Sequence, residues 1–270
     1  MLHDCQNQSD NQITLGRQTI KFSLCIEPVL SDLDFYDRIK VAAELDFDAI
    51  EFWDPVGKDI ARIGKLAAEN KIAVSICCTK DPWGQRMNAP ASVVIANVRE
   101  SMQVAKDMGC HALIALTGDM EDKADSQKEI LIENLKRIAD MAVKEDVTLN
   151  LEALNSLVDH KGYYLDSSYV GFEIIKSVGC DHVKLLYDVY HMQIMEGNVI
   201  QNVTRNIDLI GHFHSAGVPG RHEHFGGESD YRNILKAIAA TDYDRFFGIE
   251  YWPTYDHRQS LADVLKHLKA

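Results

Sequence analysis

Two textures alternate strictly along this 270-residue chain, and the alternation leaves few folds open. Eight short apolar or β-branched runs read as strands: "IKFSLCI", "DAIEFW", "IAVSICC", "ALIALT", "VTLNLEA", "VKLLYDV", "LIGHFHS" and "FFGIEYW". Each is followed by a segment whose apolar residues recur with helical period, from "DFYDRIKVAAEL" to the terminal "RQSLADVLKHLK". Such alternation implies parallel strands joined by right-handed helical crossovers. Eight units in about 250 residues are what a closed (β/α)8 TIM barrel requires. A doubly wound open sheet would show a glycine-rich phosphate loop after its first strand, and "LCIEPVLSDLDF" has none. The chain therefore reads as a single α/β domain over residues 20–270, preceded by a polar extension over residues 1–19.

The formal net charge of −13 argues against a nucleic-acid partner, because binding to the phosphate backbone runs on clustered Lys and Arg. No apolar stretch approaches the roughly 18 residues that a membrane span needs, and the polar start "MLHDCQNQSDNQITLGRQT" lacks the apolar core of a signal peptide. Six cysteines form no CxxC pair and no even framework, so free thiols in a reducing cytoplasm are expected. A homo-oligomer is compatible with the sequence, although no segment marks an interface.

In a parallel barrel, chemistry gathers at the C-terminal ends of the strands. The last inward polar residue is Glu152 on strand 5, Asp188 on strand 6, His214 on strand 7 and Glu250 on strand 8. Neighbouring strands lie about 4.8 Å apart, so four consecutive tips can converge on one point. Any one of them is equally at home as a helix cap or an ion-pair member. Together, three carboxylates in one apolar funnel repel one another unless a cation compensates. A mixed oxygen and nitrogen set of this kind suits one divalent ion: Mn2+, Mg2+, Co2+ or Zn2+. His212 shares the face of His214 one layer deeper and is expected to fill and hydrogen-bond the barrel interior or to support the site from below. His222 and His224 belong to the following loop. His191, in "YDVYHMQIMEGN", falls in the loop beyond strand 6 and leans over the same pocket as a substrate hydrogen-bond donor. Arg221 can reach a carboxylate or sugar hydroxyl, while Trp83 and Arg86 in "KDPWGQRMNAP" offer an apolar wall and an anion contact.

At these residues the chain resembles the hydroxypyruvate isomerases of the xylose-isomerase-like barrel superfamily, which also holds ketose 3-epimerases and endonuclease IV enzymes. "LNLEALN", "YHMQIMEGN", "GHFHSAGVPGRHE" and "GIEYWP" carry the likeness. The resemblance implies one divalent metal on Glu152, Asp188, His214 and Glu250, proton exchange with the substrate by Glu152 and Glu250, and substrate contacts from His191 and Arg221. Two departures stand out. His214 replaces the Gln usual in the isomerases, as in the ketose epimerases, and "NSLVDHKGYYL" lacks their Arg and is one residue longer.

The chemistry that follows is removal of a proton beside a carbonyl, through a metal-stabilised enediolate, with two carboxylates as acid and base. The expected substrate is a small sugar or hydroxy-oxo acid, interconverted as an aldose/ketose pair. A ketose 3-epimerase on the same site is the close alternative. A phosphodiesterase of the endonuclease IV kind would want further histidines at "IEFWDP", "CCTKDP" and "LTGDM", which have none. A sugar-binding barrel without catalysis is the remaining reading.

Overall fold

The computed structural model describes residues 19–120 and 124–269. The expected extension therefore lies, up to residue 18, outside the described residues. The strands are β1 (Lys21–Cys25), β2 (Ala49–Phe52), β3 (Ala73–Cys78), β4 (Ala112–Ala115), β5 (Thr148–Glu152), β6 (Val183–Asp188), β7 (Ile210–His214) and β8 (Phe246–Ile249). They pair in parallel in chain order, and β1 pairs with β8 to close the barrel. Around it run α1 (Asp37–Glu44), α2 (Ile60–Asn70), α3 (Ala91–Asp107), α4 (Ala124–Glu145), α5 (Ser168–Val178), α6 (Val189–Met195), α7 (Val199–Arg205), α8 (Tyr231–Ala239) and α9 (His257–Leu268).

The strands form where expected because helices cover them on the outside and side chains fill the lumen, so nearly every strand residue is buried. The main core lies between barrel and helices and joins residues from all eight strands. Cys25, Cys77, Cys78, Cys110 and Cys180 are free thiols, as expected. Among the described residues, no helix is long and apolar enough to cross a membrane.

One expectation needs correcting. The segment after β6 is not a loop: Val189–Met195 form the short helix α6, so His191 is helical and fully buried. The cause is local. Asp188 Oδ1 accepts from the Tyr190 and His191 backbone N–H groups at 2.7 and 3.2 Å, an N-cap that starts the helix where the strand stops. Gly197, at φ +64°, ends it by letting the chain turn left-handed.

Two register irregularities sit at the same depth in the barrel. Between β2 and β3 the pairing jumps from Ile50↔Val74 to Glu51↔Ile76, leaving Ser75 as the extra residue. Between β6 and β7 it jumps from Leu185↔Ile210 to Leu186↔His212, leaving Gly211 extra. Bulges of this kind re-aim side chains beside active sites. Here they bring Glu51 and His212 face to face across the lumen. Gly211 is required there, because a Cβ would lie 2.0 Å from Asn150 Oδ1.

Candidate active site

His214 occupies the centre of the C-terminal mouth. Its Nδ1 lies 3.2 Å from Glu152 Oε1 and 3.3 Å from Glu250 Oε2. Its Nε2 lies 3.0 Å from Glu51 Oε1. Asp188 is level with His214 in the β6–β7 register, and its Oδ1 is spent on the α6 cap, which leaves Oδ2 for the site. Ligand atoms of Glu152, Asp188 and His214 lie within 4.8 Å of one another. The four strand-end residues singled out in the sequence are thus brought together, all of them buried.

Glu51 is a residue of this cluster that sequence reasoning missed. Its carboxylate takes His212 Nε2 at 2.8 Å on Oε2 while facing His214 on Oε1. Ser75, the bulged residue, adds its hydroxyl at 3.2 Å to Oε2. His212 therefore lies buried one layer below His214 and is hydrogen-bonded to Glu51. The sequence signal was a lone carboxylate inside the apolar run "AIEF", a residue type that is almost never fully buried without a partner. Trp53, also missed, donates its indole N–H to Glu250 Oε1 at 2.5 Å.

Arg221 enters from the loop after β7, held at φ +60°, a region that costs a non-glycine residue energy. Its backbone is pinned at both ends, N–H to Gly217 O at 3.0 Å and O to the Trp252 N–H at 2.9 Å. The guanidinium lies between the Tyr190 and Trp252 rings, with centroids at 5.3 and 5.0 Å. From there it donates to Glu250 Oε2 at 2.6 Å and lies 3.7 Å from Asp188 Oδ2.

Burial raises the cost of every charge here, yet specific pairs override it. Against that burial, Arg221 and His214 hold the Glu250 carboxyl well below the usual range. His212 and His214 do the same for Glu51. Against burial, Glu250 and Glu51 push the His214 ring well up. Asp188 is pushed up to about 7 by burial, with Glu250 and Glu152 adding to it and Arg221 opposing. Four buried acidic side chains, Glu51, Glu152, Asp188 and Glu250, thus gather around Arg221 and the His214 ring, an acid-rich set that a divalent cation would balance. The donor chemistry fits such an ion: Glu152, Asp188, Glu250 and His214 Nδ1 form the upper group, at the mouth. In the deeper group of Glu51, His212 and His214, Glu51 Oε2 is taken by His212 at 2.8 Å and Oε1 faces His214 Nε2 at 3.0 Å.

The remaining expected residues line one side of the mouth. His191 Nε2 lies 3.5 Å from Asp188 Oδ2. His160, from the long loop after β5, packs edge-on against His191 at 5.3 Å and stacks on Trp83 at 5.5 Å. Trp83 is therefore a half-exposed rim residue that walls the mouth through His160. Arg86 pairs with Asp119 at 2.7 Å and donates to Trp83 O, which commits its charge within its own rim. His224 is buried against Ser215, and His222 bonds Trp252 O; neither touches the carboxylates.

A family model for the xylose isomerase-like TIM barrel matches residues 39–270. Hydroxypyruvate isomerase of Escherichia coli K12 is 30% identical over 245 residues, covering 87% of this chain and 94% of that protein. The 2-oxo-tetronate isomerase of Cupriavidus necator is 30% identical, covering 86% and 93%. Among solved structures, an AP endonuclease, family 2, from Brucella melitensis superposes with a TM-score of 0.86 at 24% identity, over 92% of this chain and 99% of that one. An L-ribulose 3-epimerase superposes at 0.77 and 19% identity, over 93% and 95%. At these identities the structural matches speak to the fold.

Proposed function

The chain belongs to the xylose isomerase-like TIM barrel family, in its hydroxypyruvate isomerase-like branch, and from that premise we propose an isomerase that moves a proton between carbons next to a carbonyl of a small sugar or hydroxy-oxo acid. The observation that carries the reading is the convergence of Glu152, Asp188, Glu250 and His214 Nδ1 at the mouth of the barrel. These four would hold one divalent ion, whose contribution is Lewis-acid stabilisation of the enediolate oxygens. Everything else falls to the chain's own side chains.

Glu152 at the end of β5 and Glu250 just after β8 reach the centre from two sides and act as the acid/base pair. The Tyr163 hydroxyl backs the first by donating to Glu152 O at 3.0 Å. Trp53 and Arg221 fix the second, one on each oxygen. Arg221 and His191 contact the substrate oxygens, and the rings of Trp83, His160, Tyr190 and Trp252 wall the approach. A ketose 3-epimerase is the second reading, favoured by His214 at the strand 7 position. It would use the same proton transfers while keeping the carbonyl in place.

Glu152→Gln and Glu250→Gln should each abolish exchange of substrate hydrogen with deuterated water by Mn2+-loaded protein. Full exchange in both variants overturns the roles assigned. A panel of small ketoses, aldoses and hydroxy-oxo acids separates the two readings, because only an isomerase relocates the carbonyl.

A further inference from the structure

The loop after β5 holds a hydrogen-bond network whose donors and acceptors can be assigned without ambiguity, and it ends on His191. Asn155 is fully buried at its centre. Its Oδ1 accepts the backbone N–H groups of Val158 and Asp159 at 3.0 and 2.8 Å. A backbone N–H can only donate, so these two bonds fix which end of the amide is oxygen. Nδ2 then points the other way and offers two hydrogens. One goes to Asp159 Oδ2 at 2.7 Å, and the other meets His191 Nδ1 at 2.6 Å. The Asn155 backbone N–H donates to the same Nδ1 at 3.2 Å.

His191 Nδ1 thus faces two donors and no acceptor, which leaves no room for a proton on it. The ring proton must sit on Nε2, which is buried without a hydrogen-bond partner and faces Asp188 Oδ2 at 3.5 Å. We propose that Asn155 is a positioning residue that locks His191 as the Nε2–H tautomer, so that a neutral imidazole presents an N–H donor to the substrate oxygen held beside Asp188. Asp159 completes the device: its Oδ2 also accepts the Tyr190 hydroxyl at 2.9 Å, tying the β5 loop to α6, the helix that carries His191. The chemical value lies in what this donor cannot do. A neutral imidazole can polarise an oxygen and support a developing enediolate, as an electrophile, without surrendering a full proton to it. Proton traffic then stays with Glu152 and Glu250.

This inference rests on the proposed function for its meaning, but its test reads the resting protein. Protein carrying 15N-labelled histidine and loaded with Mg2+ is studied by long-range 1H–15N correlation, with His191 assigned by loss of its signals in His191→Gln. The expected pattern at neutral pH is the Nε2–H tautomer; an Nδ1–H tautomer or an imidazolium overturns the proposal. Asn155→Asp replaces the donating amide by an acceptor and should shift the ring toward Nδ1–H, with kcat falling about 10- to 100-fold and KM changing less. An unchanged tautomer in a folded Asn155→Asp protein overturns the role of Asn155. Should that variant not fold, Asn155→Leu removes the shorter of the two donors at similar size and leaves only the backbone N–H at 3.2 Å, so the preference for Nε2–H should weaken; a tautomer population unchanged from wild type overturns the role of the Asn155 side chain. Absence of isomerase activity in wild type, with the tautomer as expected, would count against the proposed function alone.

Discussion

Glu51→Gln tests whether the layer beneath the ligands matters as much as the ligands. The carboxylate holds two imidazoles, His212 at 2.8 Å and His214 at 3.0 Å, and all three groups are buried. A charge pair at such a distance has a gross attraction of about 6 kcal/mol at an effective dielectric near 20, against a desolvation cost of several kcal/mol for the buried carboxylate. Gln keeps the shape, loses the charge, and has one carbonyl for two rings. One ring N–H is left facing an amide NH2, and the loss of one charge-assisted bond with a donor unmatched should cost about 3 kcal/mol. For a chain of this size that lowers Tm by about 6 °C. Once His214 Nδ1 binds a cation, its Nε2–H needs the same acceptor, so Mn2+ affinity should fall about 10- to 100-fold. Scanning calorimetry of chelator-treated protein reads the first effect and isothermal titration with Mn2+ the second. A variant that melts within ~2 °C of wild type and binds Mn2+ within about threefold of it would refute the reasoning.

Gly248→Ala should act on the same layer from β8: a Cβ there would lie 2.6 Å from both Glu51 Oε1 and Phe213 O. The overpacking should cost about 1–3 kcal/mol, seen as a lower Tm together with weaker Mn2+ binding; a wild-type Tm would show that the barrel relaxes freely. His224 predicts the acid side of the stability curve, since burial pushes its pKa down to about 3. Between the unfolded value near 6.5 and that folded value, the unfolded chain binds a proton that the native one does not. Stability therefore falls as pH drops through this window, by up to about 1.4 kcal/mol per pH unit from this group alone. Denaturant titrations at a series of pH values should show a shallower decline for His224→Gln, and an identical decline would remove His224 from the account.

The barrel was legible because its strands obey one rule. Buried on both faces, each reads as a short apolar run between helical segments, and the order of the runs is the order of the strands. The helix α6 escaped because "VYHMQIM" is too short to display a helical period, and because the cap that starts it is also a strand-end carboxylate. Asp188 answers both readings of its kind at once: one oxygen caps a helix and the other faces the site. The four candidate ligands were legible for a related reason. Position at the C-terminal end of a parallel strand is a one-dimensional property, countable along the chain.

What lay hidden depends on pairing across the lumen, which no single run contains. Glu51 and His212 belong to strands that are not neighbours, separated by 161 residues, and they meet through two bulges whose extra residues are Ser75 and Gly211. Without those shifts, alternation would turn the affected residues toward the opposite face. The consequence is chemical. A histidine that binds a cation through Nδ1 needs an acceptor on Nε2, or it will turn or take up the wrong proton. His214 meets that need with Glu51 beneath it, and His191 meets the opposite need with Asn155 behind it. On the proposed function, the same ring would thus serve as a ligand in one place and as a neutral donor in the other. The difference is carried by the residue behind each ring, a carboxylate for His214 and an amide for His191.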